Sequence, residues 1–291
     1  MNWLFRLGPL LAAAVFAPAP ALAQSADGAA PDKSGYTLFD PTPDDQMRSF
    51  CTDRPPKANL PCTVDAGHFQ YEADLFNWTR AQTGGVTADL YLYANPTLKL
   101  GLTNRIDLEV NMAPSETSVT HGPLGRATFS GASDLFLRAK FNLAGAEGGD
   151  FQAAAIPWVK APTAAPGLGN GAVEGGLIAP VSFALNKDTT LLFDPEIDDL
   201  RNAGNLGRHA NVQFLANVSR PLSSSLTGAL ELWGQANEDP TNRSLQASFD
   251  LTLSWIVWDK LPNLQFDTGV FIGLTPATPK AQLFLGVSQR F

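Results

Sequence analysis

Leu245, Ala247, Phe249, Leu251, Leu253 and Trp255 alternate with Gln246, Ser248, Asp250, Thr252 and Ser254, so residues 244–255 carry one apolar and one polar face. Period two is the signature of a β-strand, whose successive side chains point to opposite faces. The pattern recurs in about twelve segments: near residues 68–78, 89–100, 106–112, 135–143, 151–161, 173–185, 190–198, 209–220, 225–235, 244–255, 263–273 and 280–291. Each is close to the nine to eleven residues that a tilted membrane strand needs. In the last segment Ala281, Leu283, Leu285, Val287 and Phe291 share one face. Gln282, Gly286, Ser288 and Arg290 share the other, with Phe284 as an apolar exception. The expected fold is therefore all-β, an antiparallel transmembrane barrel of about twelve strands over residues 67–291.

The links alternate as well. Short turns are expected at 102–105, 144–150, 186–189, 221–224 and 257–262, and longer links at 79–86, 114–131, 162–172, 199–208, 236–243 and 274–279. Short turns on one rim and longer loops on the other match the two ends of an outer-membrane barrel. A β-sandwich would show the same alternation with the opposite burial. Charge decides between them. The strand charges lie opposite the Leu, Val and Phe set, and each would cost about 2–4 kcal/mol facing lipid near the midplane. The polar face, with Asp89, Tyr91, Tyr93 and Lys99 of the second segment, is accordingly expected to line a lumen. Trp78, Trp255, Trp258 and Tyr71 fall near strand ends, where bilayer interfaces gather aromatic rings. Pro96, Pro157, Pro180 and Pro195 fall inside the proposed strands and should mark bulges or ends.

The amino-terminal region changes the picture in two ways. Arg6, an apolar run over residues 7–21 and Ala21-Leu-Ala23 read as a secretory signal peptide (residues 1–23) cleaved before Gln24, which exports the chain and, together with the barrel pattern, points to the Gram-negative outer membrane. Residues 24–66 are rich in Pro, Asp, Ala and Ser without a sustained period and read as a periplasmic arm or plug. Cys51 and Cys62 are the chain's two cysteines, and in an oxidising compartment they are expected to form a disulfide. The formal net charge of −8 argues against nucleic acid as a partner. Lipid, a small-molecule solute and, through the strand ending at Phe291 as assembly signal, the barrel-assembly machinery are the partners expected.

From residue 49 onward the chain resembles a family of bacterial outer-membrane transporters of the phenol meta-degradation pathway. The likeness rests on residues 52–55 (TDRP), 63–72 (TVDAGHFQYE), 134–142 (DLFLRAKFN), 167–176 (GLGNGAVEGG), 269–274 (GVFIGL) and 285–291 (LGVSQRF). The resemblance implies a barrel with a channel or transport role and, weakly, an aromatic solute. It supplies no catalytic residues, and the cysteine pair departs from its pattern.

The lumen-lining candidates are Arg138, Lys140, Lys160, Asp107, Glu109, Glu174, Asp194, Glu196, Asp198, Asp250 and Asp267. Arranged as separate basic and acidic walls, they would set a transverse field that selects polar solutes. Arranged as pairs, they would fill the lumen. Asp194, Glu196 and Asp198 fall at i, i+2 and i+4, a spacing that a hard cation can use, although a solvated acidic wall is the preferred reading and no metal or cofactor is expected. An enzyme is not expected. His68, His121 and His209 have no serine in a hydrolase spacing, there is no G-x-S-x-G or H-E-x-x-H, and the Gly-rich stretch 167–176 lacks a phosphate-binding lysine. The expected function is passive passage of a small solute, with a structural or envelope-interaction barrel with a plugged lumen as the alternative.

Overall fold

A computed structural model describes residues 32–55, 57–204, 206–257, 261 and 263–291. The signal peptide, Gln24, the start of the arm and Trp258 lie outside the described residues. Among the described residues the chain forms twelve antiparallel strands in one closed sheet. They are β1 (Phe69–Thr83), β2 (Val86–Thr103), β3 (Ile106–Asn111 and Ser115–Gly122), β4 (Gly125–Gly131 and Leu135–Ala144), β5 (Phe151–Ala161) and β6 (Glu174–Ile178 and Val181–Asn186). β7 (Thr189–Phe193 and Glu196–Arg201), β8 (Arg208–Pro221), β9 (Leu226–Asn237), β10 (Ser244–Ile256), β11 (Leu264–Gly273) and β12 (Ala281–Arg290) complete the circuit. β1 pairs with both β2 and β12, in register Gln70↔Arg290 on one side and Gln70↔Lys99 on the other. Closure leaves no open edge around the ring, the condition for backbone polar groups to cross hydrocarbon.

Burial follows the sequence period. On β10, Asp250 and Thr252 are buried while Leu251 and Leu253 are exposed; on β12, Ser288 is buried while Leu283 and Leu285 are exposed. A soluble protein does not present so extensive an apolar surface. An apolar outside around a polar inside is the architecture of an outer-membrane barrel. The strand ending at Arg290 closes against the first: Phe291 N donates to Phe69 O at 2.8 Å and the two rings lie 6.1 Å apart. Phe284, the exception to the period, is buried inside against Phe271. The rim carrying Phe69 and Phe291 is called the terminal rim here, and the opposite one the far rim.

Three expectations need correction. The links 79–86 and 114–131 are largely strand: β1 runs to Thr83, and Ser115–Gly122 pairs with Gly125–Gly131 as a hairpin closed by a two-residue turn. Thr117, Thr120, Thr128 and Ser130 form strand without an apolar face, so no hydrophobic period announces it. Of the four strand prolines, Pro180 and Pro195 interrupt the segments 173–185 and 190–198 as expected of residues that give no ladder hydrogen bond, but Pro96 and Pro157 lie inside β2 and β5. Finally, Tyr91 and Tyr93 leave the lumen face. β1 bulges between Asp74 and Phe76, and Ala94 of β2 takes a left-handed conformation (φ 49°). One extra residue exchanges the faces beyond it. Tyr91 and Tyr93 then pack on Phe76, with ring centroids 6.5 and 5.7 Å away, and Asp89 on the same side takes hydrogen bonds from Arg80 and Trp78.

Candidate functional site

β2, β3 and β4 bring a compact charge cluster to the inner wall. The register sets Lys99 opposite Glu109, Glu109 opposite Arg138 and Asp107 opposite Lys140. Lys99 Nζ lies 2.8 Å from Glu72, and Lys140 Nζ lies 3.4 Å from Glu109. Both lysines are almost fully buried, at 3% and 1% exposure. Charges so buried are tolerated only when paired. Of the two arrangements open to these residues, the paired one forms here: across β1–β4 Glu72, Lys99, Glu109 and Lys140 alternate in sign from strand to strand and neutralise one another at close range.

The remaining partners come from residues 33–66. At the terminal rim Arg48 donates to Asp65 (2.8 Å) and to the carbonyls of Thr63, Asn104 and Ala146, while Arg290 donates to the other Asp65 oxygen at 2.8 Å. Val64 N donates to Asp107 at 2.9 Å. From this collar the disulfide Cys51–Cys62 (Cα–Cα 6.5 Å) closes a loop that enters the barrel. Four side chains of the loop reach four separate sectors of wall. Asp53 meets Lys99 and Lys140 of β2 and β4. Arg54 bridges Asp74 of β1 (2.8 Å) and Asp267 of β11 (2.7 Å), under the Phe284 ring. Lys57 donates to Ser248 and Asp250 of β10 at 2.6 and 2.7 Å and lies 4.1 Å from the Phe271 ring centroid. Asn59 donates to Asp194 of β7 from its side-chain amide at 3.1 Å and from its backbone at 2.7 Å.

Burial pushes the Asp53 carboxyl up, but the ammonium groups of Lys140 and Lys99 outweigh it and hold the group well below the usual carboxylate range. Burial pulls the Lys57 ammonium below its ordinary value, against the opposing pull of Asp250 and Glu231. Apolar packing of the loop is slight: Ala58 and Leu60 meet Leu192, Leu215 and Trp233.

The eleven lumen candidates thus divide by height. Asp107, Glu109, Lys140, Asp194, Asp250 and Asp267 belong to the loop or to the charge cluster that receives it. Arg138, Lys160, Glu174, Glu196 and Asp198 line a chamber of about 560 Å³ between the loop and the far rim. A smaller cavity of about 260 Å³ lies on the other side of the loop, lined by Phe50, Pro55, Leu60, Leu192 and Ile256 among others. Asp194 turns to Asn59 across the break at Pro195, away from Glu196 and Asp198, and among the described residues no acidic or His/Cys cluster has the makings of a metal site. His68 bonds the carbonyls of Thr42 and Phe291 at the terminal rim, and His209 bonds Asn202 near the far rim. Asp53, Arg54, Lys57 and Asn59 went unnoticed in the sequence because an aperiodic Pro-rich stretch gives their direction no signature. One signal was present: the strands carry more acids than bases on the polar face, and the loop supplies Arg54 and Lys57.

The chain is similar to the CymD monoaromatic hydrocarbon channel, with 7% identity over 77% of this chain and 87% of that one and a TM-score of 0.41. It is similar to the β domain of the Bordetella autotransporter BrkA, with 10% identity, 77% and 98% coverage and a TM-score of 0.47. It is also similar to an anion-selective porin from Comamonas acidovorans, with 8% identity, 77% and 98% coverage and a TM-score of 0.39. No curated protein sequence matches significantly. The family model described as "Putative MetA-pathway of phenol degradation" matches residues 52–291, and the chain belongs to that family.

Proposed function

We propose that this protein is an outer-membrane channel for passive passage of a small solute, with the loop 51–62 as a displaceable plug. The observation that carries the reading is how the loop is held. Its wall contacts are chiefly ion pairs and hydrogen bonds spread over β1, β2, β4, β7, β10 and β11, with cavities above and below it. Withdrawal of the loop returns both members of each buried ion pair to water, so the lost attraction is offset by recovered solvation, whereas a loop sealed by apolar packing gains no such offset. An aromatic solute is in keeping with the family's description. The terminal rim is then periplasmic, residues 1–23 are the signal peptide removed before Gln24, and the strand ending at Phe291 is the part presented to the assembly machinery.

Single-channel recording in planar bilayers tests the reading. The full chain should be closed or open only briefly, and a variant with residues 52–61 replaced by a short Gly/Ser link should conduct steadily. A replacement that folds and still does not conduct would favour the alternative of a structural barrel.

A further inference from the structure

One inner-wall cation differs from the others. Lys99, Lys140, Lys160 and Arg290 each hold a carboxylate oxygen at 2.7–2.8 Å. Arg138 makes no hydrogen bond among the described residues. Its nearest carboxylate is Glu109 at 3.8 Å, its Nε is buried without a partner, and its side chain is 27% exposed toward the chamber. A guanidinium offers five donors in a planar fork suited to a carboxylate, and a protein rarely leaves them idle inside.

The strand register carries this group to its complement. Arg138 pairs with Trp158, Trp158 with Gly176 and Gly176 with Asp198, a single row across β4, β5, β6 and β7. Among the described residues Asp198 takes hydrogen bonds from the amides of Asn211 and Gln213, and its Oδ1 is buried without a partner; Glu196 beside it takes one from the Trp158 indole at 3.0 Å. Among the described residues no cation pairs with either acid, and each faces neutral donors and the other. The row spans three strand spacings, about 14 Å along the wall. The chamber of about 560 Å³ that both ends of the row line has room for a small molecule. Trp158 and Phe136, with ring centroids 5.9 Å apart, line the same chamber and offer an aromatic face between the charges.

We infer that the chamber is a binding site for a small zwitterion, an α-amino acid with an apolar or aromatic side chain: its carboxylate on Arg138, its ammonium on Asp198 and Glu196, its side chain on Phe136 and Trp158. A simple anion would meet the two carboxylates, and a simple amine would leave Arg138 unsatisfied. The site deepens the channel reading and rests on it for its purpose. Its test does not depend on conductance.

Isothermal titration of the full chain in detergent provides that test, with L-phenylalanine, 3-phenylpropanoate (no ammonium) and 2-phenylethylamine (no carboxylate) as probes. Phenylalanine should bind at least tenfold more tightly than either analogue, the loss expected when a charged hydrogen-bonding partner is missing. Arg138→Gln should abolish its advantage over 2-phenylethylamine, and Asp198→Asn should reduce its advantage over 3-phenylpropanoate. Absence of phenylalanine binding, equal binding of either analogue, or an Arg138→Gln protein that retains the full preference would each overturn the inference. The probe series on the unmodified protein decides the matter alone if a variant does not fold.

Discussion

At the scale of single residues, Asp53 joins the arm to the wall. Its carboxyl is held below its ordinary value of 3.8 by Lys140 and Lys99. A depressed folded value contributes stability that is present above the ordinary value and is lost as pH falls through the lower folded one. Asp53→Asn should therefore lower the unfolding midpoint, by an amount equivalent to about 3–5 kcal/mol for breaking a buried pair. The difference from the unmodified protein should persist from pH 7 to pH 4 and shrink only below that. Thermal scans in detergent across that range check it, and a difference already gone at pH 5 would contradict the assignment. Gly176 is equally specific: a Cβ there would lie 2.2 Å from Asp198 Oδ1 and 2.7 Å from both Trp158 Nε1 and Ile197 O. Gly176→Ala should destabilise by about 1–3 kcal/mol through overpacking, seen as a lower denaturant midpoint. The inward set from Asp107 to Asp267 was legible in the sequence, since parity along a strand names the face. The fate of Tyr91 and Tyr93 was not, because Ala94 gives no sign in its residue type that it bulges.

At the scale of elements, the barrel strands were readable, and of the loop only its disulfide and the choice between arm and plug were. A strand advertises itself within ten residues. The contacts that seat the loop join residues far apart in the chain, Arg54 with Asp267 being 213 positions distant. The hairpin of β3 and β4 lay hidden for a different reason: Ser115–Gly122 and Gly125–Gly131 pair through their backbones and have no need of an apolar face. Cys51 and Cys62 were visible as a pair, and the disulfide closes the loop's neck. Replacing both with serine should release about 2–3 kcal/mol of constraint from the loop alone. Proteolysis within residues 52–61 should then accelerate roughly tenfold or more, while the barrel keeps its heat-dependent gel mobility. Loss of the barrel band together with the loop would show that the two fold as one unit.

At the scale of the whole molecule, the apolar surface and the polar interior form one inside-out arrangement, and its outer half can be tested directly. Leu251 is 44% exposed at a position flanked by buried Asp250 and Thr252. Leu251→Arg should cost about 2–4 kcal/mol if that surface meets lipid near the midplane, measured by folding into vesicles. No measurable cost would argue against a lipid-facing position. The disulfide at the loop's neck has a mechanical consequence for the proposed channel. A linear segment pulled from one end peels away contact by contact, each breaking under its own share of the load. A ring closed at its base cannot peel: tension reaching Cys51 passes through the sulfur bridge to Cys62, and Asp53, Arg54, Lys57 and Asn59 must let go together. Withdrawal is therefore a single concerted event, and recorded currents should step between two levels, with graded intermediate levels appearing when the bridge is reduced.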